Sequence, residues 1–123
     1  MTDLIVKVKV LVVEDEPLLL VFAVDIVEDA GFEAIEASCA ADAIIMLETI
    51  PGIRILFTDI DMPGAMNGLV LAGVVRNRWP PIEILIVSGM QMPTVAQLPE
   101  RAAFFSKPYD ARKITETLAR MAA

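Results

Sequence analysis

The side chains able to do chemistry in this 123-residue chain are few and rich in oxygen. Glu14 and Asp15 are adjacent, Asp59 and Asp61 are separated by one residue, and Ser88 and Lys107 stand alone further on. The chain has no His and a single Cys, Cys39. That composition removes Ser-His-Asp and Cys-His nucleophile systems, the usual zinc ligands and an internal disulfide, and it excludes a phosphohistidine on this chain. Carboxylates gathered at partly buried positions repel one another, and a cation relieves the repulsion. Oxygen-only donors select a hard cation. Mg²⁺, which takes one or two carboxylates and keeps its waters, is expected over Ca²⁺ or Zn²⁺. A carboxylate beside Mg²⁺, with a hydroxyl and an ammonium opposite, is equipment for forming an acyl phosphate on aspartate. In that chemistry Asp59 attacks in line, the metal and Lys107 neutralise phosphoryl oxygens, and Ser88 donates to a third oxygen. No GxxxxGK or GxGxxG cradle is present, so the expected phosphoryl donor is another phosphoprotein or a small phosphorylated metabolite.

Those residues are far apart in sequence, so the fold has to bring them together. Apolar, β-branched runs at Val8 to Val13, Ile53 to Thr58 and Ile82 to Val87, a weaker one at Phe32 to Glu36 and a short one near Phe104 read as buried strands. Helical periods lie between them, clearest in Ala111, Ile114, Leu118 and Met121. Alternation of this kind predicts βα units and a parallel sheet covered on both faces. All strands then run the same way, and residues just past their ends meet along one edge. Glu14 and Asp15 follow the first strand, Asp59 the third, Ser88 the fourth and Lys107 the fifth, with Asp61 on the same rim. Pro17 suits a first helical turn, Gly31 the end of that helix and Asp110 the cap of the last one. Pro93 and Pro99 leave room in Met92 to Glu100 for only one or two helical turns. Cys39 is expected as a small buried or helix-surface residue.

Hydrophobic residues make up 56% of the chain, so a membrane span has to be considered. The longest apolar stretch, Leu18 to Val24, ends at Asp25, far short of the ~18 to 20 residues a spanning helix needs. Lys7 and Lys9 interrupt any signal-peptide core, and a cytoplasmic location is expected. The net charge of −7 opposes binding to nucleic acid or an anionic membrane surface. No linker or repeat divides the chain, so one domain over residues 1–123 is expected, without an output domain.

Four segments in order, Val12-Val13-Glu14-Asp15-Glu16-Pro17, Thr58-Asp59-Ile60-Asp61-Met62-Pro63-Gly64, Ile86-Val87-Ser88-Gly89 and Phe105-Ser106-Lys107-Pro108, make this chain resemble the receiver domains of two-component response regulators. The resemblance covers nearly the whole chain. It implies a CheY-like, flavodoxin-like five-stranded sheet of order 2-1-3-4-5, the fold for which CheY is a standard example. It implies Asp59 as phosphoacceptor, with Asp15, Asp59 and the backbone carbonyl of Asp61 as Mg²⁺ ligands and Glu14 reaching the metal through water. Lys107-Pro108 resembles the family's cis peptide. Ser88 and Phe104 occupy the places of the family's switch hydroxyl and switch aromatic, although Phe104 equally suits plain core. The implied partner is a sensor histidine kinase or histidine phosphotransfer protein, with a downstream protein target. The chain would act as a monomer or weak homodimer, not as a turnover enzyme beyond self-catalysed phosphorylation and dephosphorylation.

Two departures stand out. The loop from Asp59 to Gly68 is one residue longer than in CheY-like members, and the stretch from Ser88 to Lys107 is about three residues shorter. These features, with Arg78-Trp79-Pro80-Pro81, resemble a subgroup of stand-alone alphaproteobacterial receivers. On the first helix Leu18 and Val21 fall on the same side as Asp25, Glu28 and Asp29. They are either scattered surface residues or a docking patch for a kinase helix hairpin or second subunit. Two other functions fit some of the residues. Asp59-Ile60-Asp61 matches the DxD of haloacid dehalogenase-like phosphatases, but there the motif follows the first strand, and no cap domain fits. A receiver-fold scaffold that is never phosphorylated is the other.

Overall fold

The β-branched runs form five parallel strands in a computed structural model, which describes residues 6–123. They are β1 (Lys9–Val13), β2 (Glu33–Ala37), β3 (Ile53–Asp59), β4 (Glu83–Ser88) and β5 (Ala102–Ser106), in the order β2-β1-β3-β4-β5. The expected topology is therefore observed. The helices are α1 (Pro17–Asp29), α2 (Ala40–Thr49), α3 (Gly68–Arg78) and α4 (Ala111–Ala122).

Strand side chains alternate between two apolar layers, as period 2 requires. Leu11, Leu56, Ile84 and Ile86 pack with Leu47, Leu71 and Val75 of α2 and α3. Val10, Val12, Ile55, Phe57, Leu85 and Val87 pack with Val27, Ile114 and Leu118 of α1 and α4. Each large side chain fully buried this way contributes about 2 kcal/mol relative to exposure. This two-sided core fixes the register, so the strand ends lie level: Val13 faces Ala37 and Thr58, Asp59 faces Val87, and Ser88 faces Ser106.

Local signals set the helix limits. Pro17 opens α1. Gly31 follows it with φ +95°, a left-handed conformation that glycine adopts without steric cost. The Asp110 carboxylate accepts from Arg112 N–H at 2.9 Å and caps α4. Cys39 is half-buried at the N-cap of α2, its sulfur accepting weakly from Asp42 N–H at 3.5 Å. The short helix expected between Met92 and Glu100 is reduced to one 3₁₀ turn, Val95–Gln97. Arg76 of α3 ties the end of this segment to the turn before β4. Its Nε donates to the Glu100 carbonyl at 2.9 Å, and one terminal nitrogen reaches the carbonyls of Pro80 and Ile82, each at 2.8 Å. Among the described residues no helix is long and apolar enough to cross a membrane.

Candidate functional site

The C-terminal ends of β1, β3, β4 and β5 carry the polar residues, and backbone bonds fix their spacing. Glu14 N–H donates to Ala37 O at 3.1 Å, Ile60 N–H to Val87 O at 2.9 Å, and Lys107 N–H to Ser88 O at 2.8 Å. Asp59 and Ser88 are the last residues of their strands rather than the first beyond them. The peptide between Lys107 and Pro108 is cis, as expected.

Lys107 binds the acidic residues together. Its ammonium lies 2.9 Å from a Glu14 oxygen and 3.0 Å from an Asp59 oxygen, while Asp59 is only 3% exposed. Glu14, Asp15 and Asp59 each offer an oxygen, all within 4.8 Å of one another. Burial pushes the Glu14 carboxyl above its ordinary range, and the hydrogen bond from Lys107 only partly opposes that. At Lys107 burial works to lower the pKa, but hydrogen bonds and charge from Glu14 and Asp59 outweigh it and hold the ammonium above its ordinary value. One ammonium thus leaves a crowded, desolvated carboxylate cluster incompletely compensated. Such a donor set, hard oxygens without imidazole, fits a divalent hard cation.

Asp61 goes elsewhere. Its N–H donates to Asp59 at 3.2 Å, but its carboxylate turns to the β4 exit and accepts from the Ser88 hydroxyl at 2.7 Å. Two further donors meet it, Met90 N–H at 3.3 Å and the Gln91 amide at 3.1 Å. The Asp61 side chain is therefore outside the Glu14–Asp15–Asp59 cluster, and Ser88 is engaged with it. Sequence reasoning missed Gln91, which carries no recognisable signal. Burial would raise the Asp61 pKa, but these donors together hold it below the ordinary carboxylate value.

Phe104 is half-buried against the α2/α3 layer, beside Ile86 across the sheet. Leu18 and Val21 are 82% and 57% exposed on α1. Next to them, Leu19 and Phe22 join Lys107, Pro108 and Tyr109 around a groove of about 340 Å³. Tyr109 stacks on Phe22 at 5.9 Å and meets Phe57 edge-on at 6.0 Å. Its burial pushes the phenol up to about 12, so it stays neutral. The aromatic after Lys-Pro was the available sequence signal for this groove.

Comparison with known proteins agrees with this geometry. The family model described as the response regulator receiver domain matches residues 10–119. The response regulator protein FleR of Pseudomonas aeruginosa is 31% identical over 117 residues, which are 93% of this chain but only 24% of that protein. A response regulator receiver protein of Sinorhizobium medicae superposes with TM-score 0.85 at 25% identity, covering 94% of both chains. The receiver domain of hybrid histidine kinase CckA gives TM-score 0.77 at 26% identity over 94% of this chain and 99% of that one. A sheet edge with these carboxylates and this lysine, inside a family match over nearly the full length, leads to one conclusion: the chain belongs to the response regulator receiver domain family.

Proposed function

We propose that this domain is a Mg²⁺-dependent phosphorylation switch that accepts a phosphoryl group on Asp59 from a sensor histidine kinase or a histidine phosphotransfer protein. The observation that carries the reading is the Asp59 carboxylate, buried yet at the rim, 3.0 Å from the Lys107 ammonium. In the transfer, the P–N bond of the donor phosphohistidine breaks and a P–O bond to an Asp59 oxygen forms. The imidazole leaves with the electron pair. Lys107 meets the charge on the phosphoryl oxygens, and its bonds to Glu14 and Asp59 pre-orient it for that role. Glu14, Asp15, Asp59 and the backbone carbonyl of Asp61 would hold Mg²⁺, which when bound neutralises phosphoryl oxygens and relieves the carboxylate repulsion. Reversal by water, aided by the same groups, would be the domain's only hydrolytic chemistry.

A phosphatase of haloacid dehalogenase type needs the Asp61 carboxylate free as acid and base beside Asp59. Its engagement with Ser88, Met90 and Gln91 argues against that use. Incubation with acetyl phosphate and Mg²⁺ separates the readings. A receiver takes one phosphoryl group per chain and loses this capacity in Asp59→Asn. Multiple turnover of a generic phosphate ester by the wild type would instead favour the enzyme, and no mass gain at all would favour the scaffold.

The α1 face is the proposed contact for the phosphodonor, because the exposed Leu18 and Val21 adjoin in sequence Leu19 and Phe22, which line the groove together with Lys107. Leu18→Glu combined with Val21→Glu is expected to slow transfer from a phosphohistidine protein by about tenfold, the loss typical of a central apolar contact. Labelling by acetyl phosphate should stay unchanged. Equal rates from both donors before and after substitution would remove this face from the interaction.

A further inference from the structure

A serine hydroxyl has one proton to give. At Ser88, which is 1% exposed, that proton goes to Asp61 Oδ2 at 2.7 Å, and the hydroxyl oxygen accepts from Gln91 N–H at 3.0 Å. The Asp61 carboxylate also collects Met90 N–H and the Gln91 side-chain amide. It therefore closes a ring of hydrogen bonds around the turn that leaves β4. Through its own N–H the same residue touches the Asp59 carboxylate at 3.2 Å. Asp61 thus links the candidate phosphoacceptor, by its backbone, to the candidate switch hydroxyl, by its side chain.

We propose that Asp61 is a positioning residue that latches Ser88 and the Gly89–Gln91 turn in the unphosphorylated arrangement. The inference rests on Asp59 being the phosphoacceptor. To donate to a phosphoryl oxygen on Asp59, Ser88 must withdraw its proton from a carboxylate, and a hydrogen bond to an ionised acceptor is roughly twice as strong as a neutral one. Once Ser88 leaves, Asp61 loses its shortest contact and Gln91 N–H loses its acceptor. The turn is then freed with Met90, which is 86% exposed, and with the adjoining Met92, which is 75% exposed. A neutral residue in place of Asp61 would hold the hydroxyl less firmly, and the switched arrangement would cost less to reach.

The test is a double-mutant cycle read by the initial rate of Asp59 labelling with acetyl phosphate and Mg²⁺. Asp61→Ala is expected to speed labelling by about tenfold in the wild-type background, the loss of one charge-assisted hydrogen bond. Asp61→Asn should fall between. In a Ser88→Ala background, Asp61→Ala should change nothing, because no hydroxyl is left to hold. The same acceleration in both backgrounds would mean that Asp61 acts only by repelling the incoming phosphate, and would overturn the latch. So would no acceleration in either. Amide hydrogen exchange at Met90 and Gln91 in the unphosphorylated protein gives a readout independent of phosphate. Asp61→Ala should speed it, and unchanged exchange overturns the latch. A wild type that takes no phosphate defeats the phosphoacceptor reading and the latch's role in switching, while exchange still decides whether Asp61 holds the turn.

Discussion

Lys107→Ala is expected to destabilise the metal-free protein by about 3 kcal/mol, the cost of leaving a buried carboxylate without its partner. It should also slow labelling of Asp59 by about a hundredfold. Both effects come from one ammonium. Glu14 and Asp59 side chains are 6% and 3% exposed, so neither can exchange Lys107 for bulk water. Glu14 makes the stability loss depend on pH. Its carboxyl already sits above 4.5 through burial, and losing the Lys107 bond moves it further up. A carboxyl raised in the folded state costs nothing below its unfolded pKa and costs progressively more as pH rises through that value to the folded one. The gap between wild type and variant should therefore be small in acid and widen toward neutral pH. On the wild-type side, the raised Lys107 pKa contributes stability that, while its carboxylate partners are ionised, is fully present below 10.5 and is lost as pH rises through the folded value. Adding Mg²⁺ should recover part of the variant's stability, because positive charge returns to the cluster, but not the labelling rate. Thermal unfolding across pH, with and without Mg²⁺, measures this; a gap independent of pH would mean that the Lys107 side chain acts by packing alone.

Gly68→Ala is the second large effect. A Cβ at Gly68 would lie 1.9 Å from the Asp59 carbonyl oxygen and 2.8 Å from Ile60 Cα. Both are backbone atoms of the acceptor strand's end, and neither can step aside as a flexible side chain would. Gly68 N–H also bonds to Ile60 O at 3.1 Å, closing the extended loop on itself. The methyl must push α3 from β3 or displace the peptide that carries Asp59. Overpacking of a fitted site costs about 1 to 3 kcal/mol, and the upper end is expected here, with slower labelling because Asp59 shifts relative to Lys107. Gly73 supplies the control. It lies in the same helix with nothing within 4 Å of a Cβ, so Gly73→Ala should stabilise by about 0.5 to 1 kcal/mol through helix propensity. Opposite signs in two denaturant titrations are the predicted outcome, and a neutral Gly68→Ala would contradict the close approach.

Much of this could be read from the chain. The strands announce themselves because they are buried on both faces, so Val10 to Val13 and Ile84 to Val87 are continuous apolar runs. Parallel strands then bring Glu14, Asp15, Asp59 and Lys107 to one edge by topology alone, which is why the acidic cluster was legible. What topology does not determine is where a side chain turns. Whether the Asp61 carboxylate faces Asp59 or the β4 exit depends on rotamer and on the donors at Met90 and Gln91, and no spacing rule encodes that. The single turn Val95–Gln97 is closed locally, by Thr94 N–H donating to the Gln97 side chain, and by the prolines that bound it, while the Arg76 bonds to the carbonyls of Pro80, Ile82 and Glu100 have no periodic signature. Cys39 as a helix cap was missed because sulfur is a weak acceptor and Ser, Thr, Asp or Asn would be looked for there.

Whether Asp59 itself takes the phosphoryl group is decided by peptide-level mass spectrometry after brief treatment with acetyl phosphate and Mg²⁺. The expected result is a mass gain of one phosphoryl group, carried by the peptide containing Asp59, absent without Mg²⁺ and absent from Asp59→Asn. Phosphate found on another residue, or retained in Asp59→Asn at the wild-type level, would contradict it.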